Sequence, residues 1–404
     1  MISLRPFRAW RPVADKAAQV GSRSYVSYSP EDLLQRLTGN PYTFLHVLRP
    51  DDEMTVRLPR VERFRLVRQA FFDFCQRGIM FRDDQPCIYF YEQSIHGNVS
   101  RGIICGVSVA DYRAGRIKVH EQTLTARENL FAEYLDATGI NAEPVLLATP
   151  EGAAWEALLD PLLNTKATYD FRTNDQVRHR LWPVADELIR QRLQKAFAMI
   201  PALYIADGHH RLSSSARLAE SKGKADVDPT AWCLAYIVPR QHLYIFNFDR
   251  AVSDLGNMDE AAFLRALQTV GELRKVEAPW AAHGVIGVRT ASGWHTLHLP
   301  ASSDRPVTEQ LDAARLSELI LGPVLGILDL RTDGRVNFVP GTMGTAELDR
   351  QVETGEAAVA FHLHPVSFAE LRAVADAGGT MPPKSTYIEP KLRSGMIVYA
   401  LEDV

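Results

Sequence analysis

Five apolar residues, Ala202-Leu203-Tyr204-Ile205-Ala206, run without a gap into Asp207-Gly208-His209-His210-Arg211, and Leu212 to Glu220 continues with helical spacing. No other stretch constrains the chain as much. A short strand that is apolar on both faces belongs inside a sheet covered on both sides. A glycine directly after it permits a sharp turn, including positive φ. The helix opening at that turn presents unpaired backbone N–H groups and a partial positive charge, so anions bind there. Arg211 adds a planar fork suited to phosphate oxygens. His209 and His210 can donate hydrogen bonds or move protons. Asp207, at the carboxyl end of the strand, is placed to hold a magnesium ion or accept a proton. The plain alternative is a capped helix with two surface histidines and a solvated arginine. Five such residues at one strand–helix junction favour a phosphate-handling loop over capping alone. A metal site on His209 and His210 is the weaker idea, because adjacent residues point apart and no third His or Cys is spaced to join them.

Helical and strand patterns alternate along the whole chain, which predicts a mixed protein, α/β (mixed α+β) in class. Val61, Phe64, Val67, Phe71 and Phe74 stand at helical spacing and Gly78 closes the run. These phenylalanines read as core. Cys87–Tyr91 and Gly102–Val109 read as two strands joined through the polar segment Ser94–Ser100. Thr125 and Glu128 have the spacing of a capping box, which predicts a helix starting at Thr125. Further helices are expected over 185–198, 259–270, 308–320 and 366–376. A strand pair is expected at 284–289 and 294–299, and a terminal strand over Met396–Leu401. The composition turns small and polar between Val252 and Asp259, so the expected division is 1–252 and 253–404.

A chain of 404 residues is too long for one core and points to two domains. The net charge of −4, from 45 basic and 49 acidic residues, argues against a non-specific nucleic-acid or membrane binder. Cys75, Cys87, Cys105 and Cys233 form no C-x-x-C pair, and three lie in apolar runs. They read as small buried hydrophobes in a reducing compartment rather than zinc ligands or a redox dithiol. Arg5, Arg8 and Arg11 are followed by no long apolar segment, unlike a secretory signal. No run approaches the ~18 apolar residues a membrane span needs. The expected location is cytoplasmic.

Two further segments carry chemistry-bearing residues. In Lys118-Val119-His120-Glu121-Gln122-Thr123, a Glu beside a His can serve as a general base, and a polar strand end is the equal alternative. In Lys384-Ser385-Thr386-Tyr387-Ile388-Glu389-Pro390-Lys391-Leu392-Arg393, the prolines at 382, 383 and 390 restrict the backbone. Such restriction lowers the entropy cost of presenting Lys384, Lys391 and Arg393 to an anion. A solvated charged loop is the alternative reading.

These segments together resemble a bacterial and archaeal family called domain of unknown function 1015. The likeness takes in Arg5-Pro6-Phe7, Asn40 to His46, Ile117 to Thr123 and Leu203 to Arg211. It continues through Gly341-Thr342-Met343-Gly344-Thr345, Met381 to Tyr387 and Pro390 to Gly395. One departure is Val26, which follows Tyr25 where the family commonly has aspartate. The Asp-Gly-His-His-Arg loop is similar to that of archaeal free serine kinases of the ParB/sulfiredoxin-like group. This resemblance implies a ParB/sulfiredoxin-like core with an N-terminal elaboration, and a C-terminal α+β domain that contributes a charged segment to the site. It also implies a catalytic acidic residue upstream of the loop, for which Glu121 is the positional match.

The expected function is a small-molecule kinase, with free L-serine as an acceptor and ADP or ATP with Mg²⁺ as donor. Asp207 would hold the metal. Gly208, His209, His210 and Arg211 would cradle phosphates, and Glu121 would take the acceptor's proton, with Asp207 and His209 also in the catalytic set. His120, Lys384, Lys391 and Arg393 would meet substrate or anion. Two rivals use the same loop: a nucleotide-binding switch of ParB type and a phosphate-ester hydrolase. The partners expected are a nucleotide and a small molecule, with neither membrane nor nucleic acid.

Overall fold

A computed structural model describes residues 1–49, 58–150, 154–223 and 227–402. The chain forms two compact units. The first comprises Met1–Lys118, Gln122–Leu243 and Pro390–Val404, and the second Val119–Glu121 and Tyr244–Glu389. The division thus falls at 243/244, ahead of the expected 252/253, and the chain from Pro390 onward returns to the first unit. The physical reason is pairing: Phe248–Val252 is a strand of the second unit's sheet, so a cut after 252 would remove it from its partners.

The first unit is built on a mixed nine-stranded sheet. Eight strands follow one another in the order Ile117–Lys118, Leu203–Asp207, Val145–Thr149, Trp232–Pro239, Asn98–Ser108, Ile88–Ile95, Arg178–Val184 and Tyr169–Arg172. Leu4–Arg5 pairs additionally with Asn98–Ser108. The hairpin expected through Ser94–Ser100 joins Ile88–Ile95 to Asn98–Ser108 and closes on His96-Gly97, both at positive φ of 49° and 84°. That is a tight two-residue connection, whose twist suits antiparallel strands. Leu203–Asp207 runs parallel to Ile117–Lys118 and antiparallel to Val145–Thr149, and its residues Leu203 to Ala206 are buried. The double-faced apolar run is therefore interior to the sheet, as its composition requires.

The helix Arg60–Gln76 buries Val67, Phe71 and Phe74 against Val20, Phe44, Val47, Ile140 and Val398. The helix Thr125–Thr138 begins where expected, but not by a capping box. Thr125 already has helical geometry, Leu124 occupies the cap without a side-chain bond, and Glu128 accepts instead from the Thr123 hydroxyl and from Arg217. The terminal apolar run forms only the short strand Tyr399–Ala400 beside Ile140–Asn141, with Val398 bridging to Trp10.

The second unit holds a six-stranded antiparallel sheet, ordered Glu272–Val276, Gly293–His298, Val285–Thr290, Val359–His362, Phe248–Val252 and Val336–Pro340. Phe263 and Leu267 of the helix Glu260–Val270 pack with Ile286, Val288, Leu297 and Phe361 in its core. The single helix expected over 308–320 is interrupted. Leu311 adopts extended backbone (ψ 133°) between Val307–Gln310 and Asp312–Leu316, and a π-turn follows at Ser317–Leu321. All four cysteines are free thiols. Among the described residues no helix is long and apolar enough to cross a membrane.

Candidate functional site

The strand Leu203–Asp207 ends at Gly208, which caps the helix His209–Lys222 in a left-handed conformation (φ 95°, ψ 30°). The helix begins at His209, so both histidines and Arg211 occupy its first turn. The amides of Arg211 and Leu212 turn back onto the Gly208 carbonyl, at 2.9 and 3.2 Å. Three serines follow, and their hydroxyls fold back on the same turn. Those of Ser213 and Ser214 donate to the His210 carbonyl, and that of Ser215 to the Arg211 carbonyl. All three are buried. Small hydroxyl side chains satisfied within the helix allow it to lie close on the sheet with no polar group stranded.

Arg211 does not reach outward. Its Nη2 donates to Asp207 Oδ2 at 2.8 Å and its Nη1 to Glu143 Oε2 at 2.9 Å. The guanidinium folds over its own loop so closely that a Cβ on residue 208 would stand 2.6 Å from Arg211 Nε. The two carboxylates raise the Arg211 pKa against the opposing effect of burial. Burial tends to raise the Asp207 pKa, but the charges of Lys391, Arg211 and His209 and the Arg211 hydrogen bond hold it below the usual carboxylate range. His210 is also shifted down: burial, then the charge of Arg127, lowers its pKa, which favours the neutral ring. Its Nδ1 is buried without a hydrogen-bond partner.

The segment from Pro390 adds three side chains to carboxylates of this unit. Lys391 Nζ stands 4.0 Å from Asp207 Oδ1. Arg393 donates to Asp175 Oδ2 at 2.6 Å and is 6% exposed in its side chain, while the Ser394 hydroxyl donates to Glu143 at 2.7 Å. Backbone bonds pin the segment: Ser394 exchanges both with Ser22, and Gly395 N–H donates to the Ala142 carbonyl.

The structure thus gathers Asp207, Gly208, His209, His210, Arg211 and Lys391 around one strand end. Arg393 lies in the same unit with its guanidinium directed at Asp175. The remaining expected residues pack in the second unit. There the buried His120 accepts from the Met381 amide at 2.9 Å through its carbonyl, Glu121 is half-buried, and Lys384 Nζ lies 5.2 Å from the Phe248 ring centroid. Sequence reasoning did not single out Glu143, Asp175 or Ser394. Glu143 had one visible signal, a single carboxylate before Pro144 at the entry to the wholly apolar run Val145–Ala148.

Asp207 does not suit a magnesium ion in this arrangement. One oxygen is bonded to Arg211 and the other faces Lys391, so two cations already stand where the metal would.

A family model described as "Protein of unknown function (DUF1015)" matches residues 4–314. No curated protein matches the chain. Among solved structures, the chain is similar to a mutant free serine kinase in complex with ADP, at 13% identity and a TM-score of 0.37, covering 74% of this chain and 93% of that one. SbnI with a C-terminal truncation from Staphylococcus aureus matches at 15% identity and a TM-score of 0.38, covering 74% and 87%. A conserved hypothetical protein from Pyrococcus furiosus matches at 15% identity and a TM-score of 0.38, covering 74% and 96%.

Proposed function

We propose that this chain, which belongs to the DUF1015 family, is a cytoplasmic phosphotransferase that moves a phosphoryl group from a nucleotide to a small hydroxyl substrate, with free L-serine the first acceptor to try. One observation carries the reading: an interior strand turns through a left-handed Gly208 into a helix whose first turn is His209-His210-Arg211. The Arg211 and Leu212 amides turn back on the Gly208 carbonyl, and the turn opens the N-terminus of a helix, the end that carries a partial positive charge. Amides at a helix N-terminus meet phosphate oxygens, and Arg211 and Lys391 supply compensating positive charge nearby. Under this reading the sheet around the loop is the ParB/sulfiredoxin-like core.

In the transfer, the acceptor oxygen forms a bond to the terminal phosphorus while the bond from phosphorus to the nucleotide oxygen breaks. The hydroxyl proton passes to a carboxylate, for which Glu121 is the candidate. Positioning and charge neutralisation account for most of the catalysis in such reactions. The test is to incubate the full chain with Mg²⁺, L-serine and either ADP or ATP, and to follow phosphoserine by mass spectrometry. Phosphoserine should form, Arg211→Ala should lose on the order of 10²-fold in rate or more, and Glu121→Gln should slow turnover while nucleotide affinity stays. Nucleotide binding without transfer to any amino acid would remove the serine assignment. No nucleotide binding at all would remove the phosphotransferase reading.

A further inference from the structure

We propose that Glu143 is a positioning residue of this loop, holding Arg211 over Gly208 and joining that hold to the C-terminal segment. The inference rests on the reading of the loop as a phosphate site. Glu143 stands at the entry to the strand Val145–Thr149, which pairs with Leu203–Asp207. One of its oxygens accepts from Arg211 Nη1 at 2.9 Å and the other from the Ser394 hydroxyl at 2.7 Å. Arg211 is thereby held at both ends, since its Nη2 donates to Asp207 at 2.8 Å. The guanidinium also lies against Gly208, where any Cβ would meet it.

A fork occupied at both tips by carboxylates does not offer those tips to phosphate oxygens. Arg211 instead acts as a strut, fixing the turn and holding its charge against Gly208 at the start of the helix. Glu143 determines where that charge stands. Anchoring the C-terminal segment would require only the contact to Ser394. The contact to Arg211 ties Glu143 to the loop itself.

Glu143→Gln keeps the side-chain shape and an acceptor for Ser394 but removes the charge facing Arg211. The full chain would be compared with Glu143→Gln, Arg211→Ala and the double variant by two measurements. Hydrogen–deuterium exchange reads the amides of 208–211, and calorimetric titration reads ADP affinity. Exchange there should rise about tenfold in either single variant and no further in the double. ADP affinity should fall roughly tenfold in each single variant, and the two losses should not multiply when combined. Unchanged exchange in Glu143→Gln, or losses that multiply, would overturn the proposal. If Glu143→Gln fails to fold, Arg211→Lys, which keeps the charge but loses the second tip of the fork, should show the same local rise in exchange. No change there would overturn the proposal equally. Wild-type protein that binds no ADP would end the nucleotide reading alone, and the exchange measurement would still decide the role of Glu143.

Discussion

Gly208 meets two separate demands, one on its backbone and one on the space beside it. Its φ of 95° lies where L-residues with a Cβ are strained, and Arg211 fills the place a Cβ would take. Gly208→Ala should therefore lower stability by about 1–3 kcal/mol, read as a fall in the thermal midpoint. Adding Arg211→Ala should not restore it, because the backbone strain remains when the side chain yields. A Gly208→Ala protein as stable as wild type would show that the turn adapts. The glycine and the helix after it were legible from the sequence, because φ preference and helical spacing are local properties. The orientation of Arg211 was not. An arginine in that position reads equally as a ligand for phosphate or a partner for carboxylates, and only the position of Glu143 decides.

At the scale of elements, the segment Pro390–Gly395 contains two cations with different surroundings. Lys391 is one-third exposed beside Asp207, whereas Arg393 is almost wholly buried against Asp175, which also pairs with Arg23 at 2.9 Å. The two should separate on mutation. Lys391→Ala should weaken ADP binding several-fold with little change in thermal midpoint. Arg393→Ala should cost roughly 2 kcal/mol of stability, below the ~3–5 kcal/mol typical of breaking a buried pair, because Asp175 keeps Arg23. Equal effects of both variants on affinity and on unfolding would contradict this division. The proline-framed charges of this segment were legible as a fixed presentation. Their carboxylate partners were not, since proline restricts a backbone without saying what faces it. The helix at Thr125 shows the same limit. Its start was legible, but Glu128 found Thr123 and Arg217 rather than the N-terminal backbone.

At the scale of the first unit, acid sensitivity follows from a buried hydrogen-bond chain. His179 is fully buried between the rings of Tyr91 and Phe171. Its Nδ1 lies 2.6 Å from the Tyr91 hydroxyl, and its Nε2 lies 3.3 Å from the Thr173 hydroxyl, which donates to Asp175. Burial, then the charge of Arg393, pushes the His179 pKa down to about 3 from 6.5. The unfolded chain thus binds a proton that the native state refuses. The stability His179 contributes is complete above about pH 6.5 and is lost as pH falls toward 3. Burial tends to raise the Asp175 pKa, but Thr173, Arg393 and Arg23 together hold it near 2 against 3.8. Its share is present above about pH 4 and lost as pH falls toward 2. The urea midpoint should decline steadily from pH 7 to 4.5, and His179→Gln should flatten that part of the curve. An unchanged slope in the variant would place the acid sensitivity elsewhere.

The sequence alone determined the mixed class, the interior strand ending at Asp207, the Gly208 turn and the amphipathic helices. Each depends on spacing or backbone preference within a few residues. The tertiary structure alone decided where the units divide and which charge answers which. The expected break at 252/253 would part the strand Phe248–Val252 from its partners, because a shift in composition does not reveal sheet partners that lie far along the chain. Arg211 meets Glu143 across 68 residues and Arg393 meets Asp175 across 218. Such pairs arise only when strand order and chain return bring distant segments together, and no local pattern in either segment records the other.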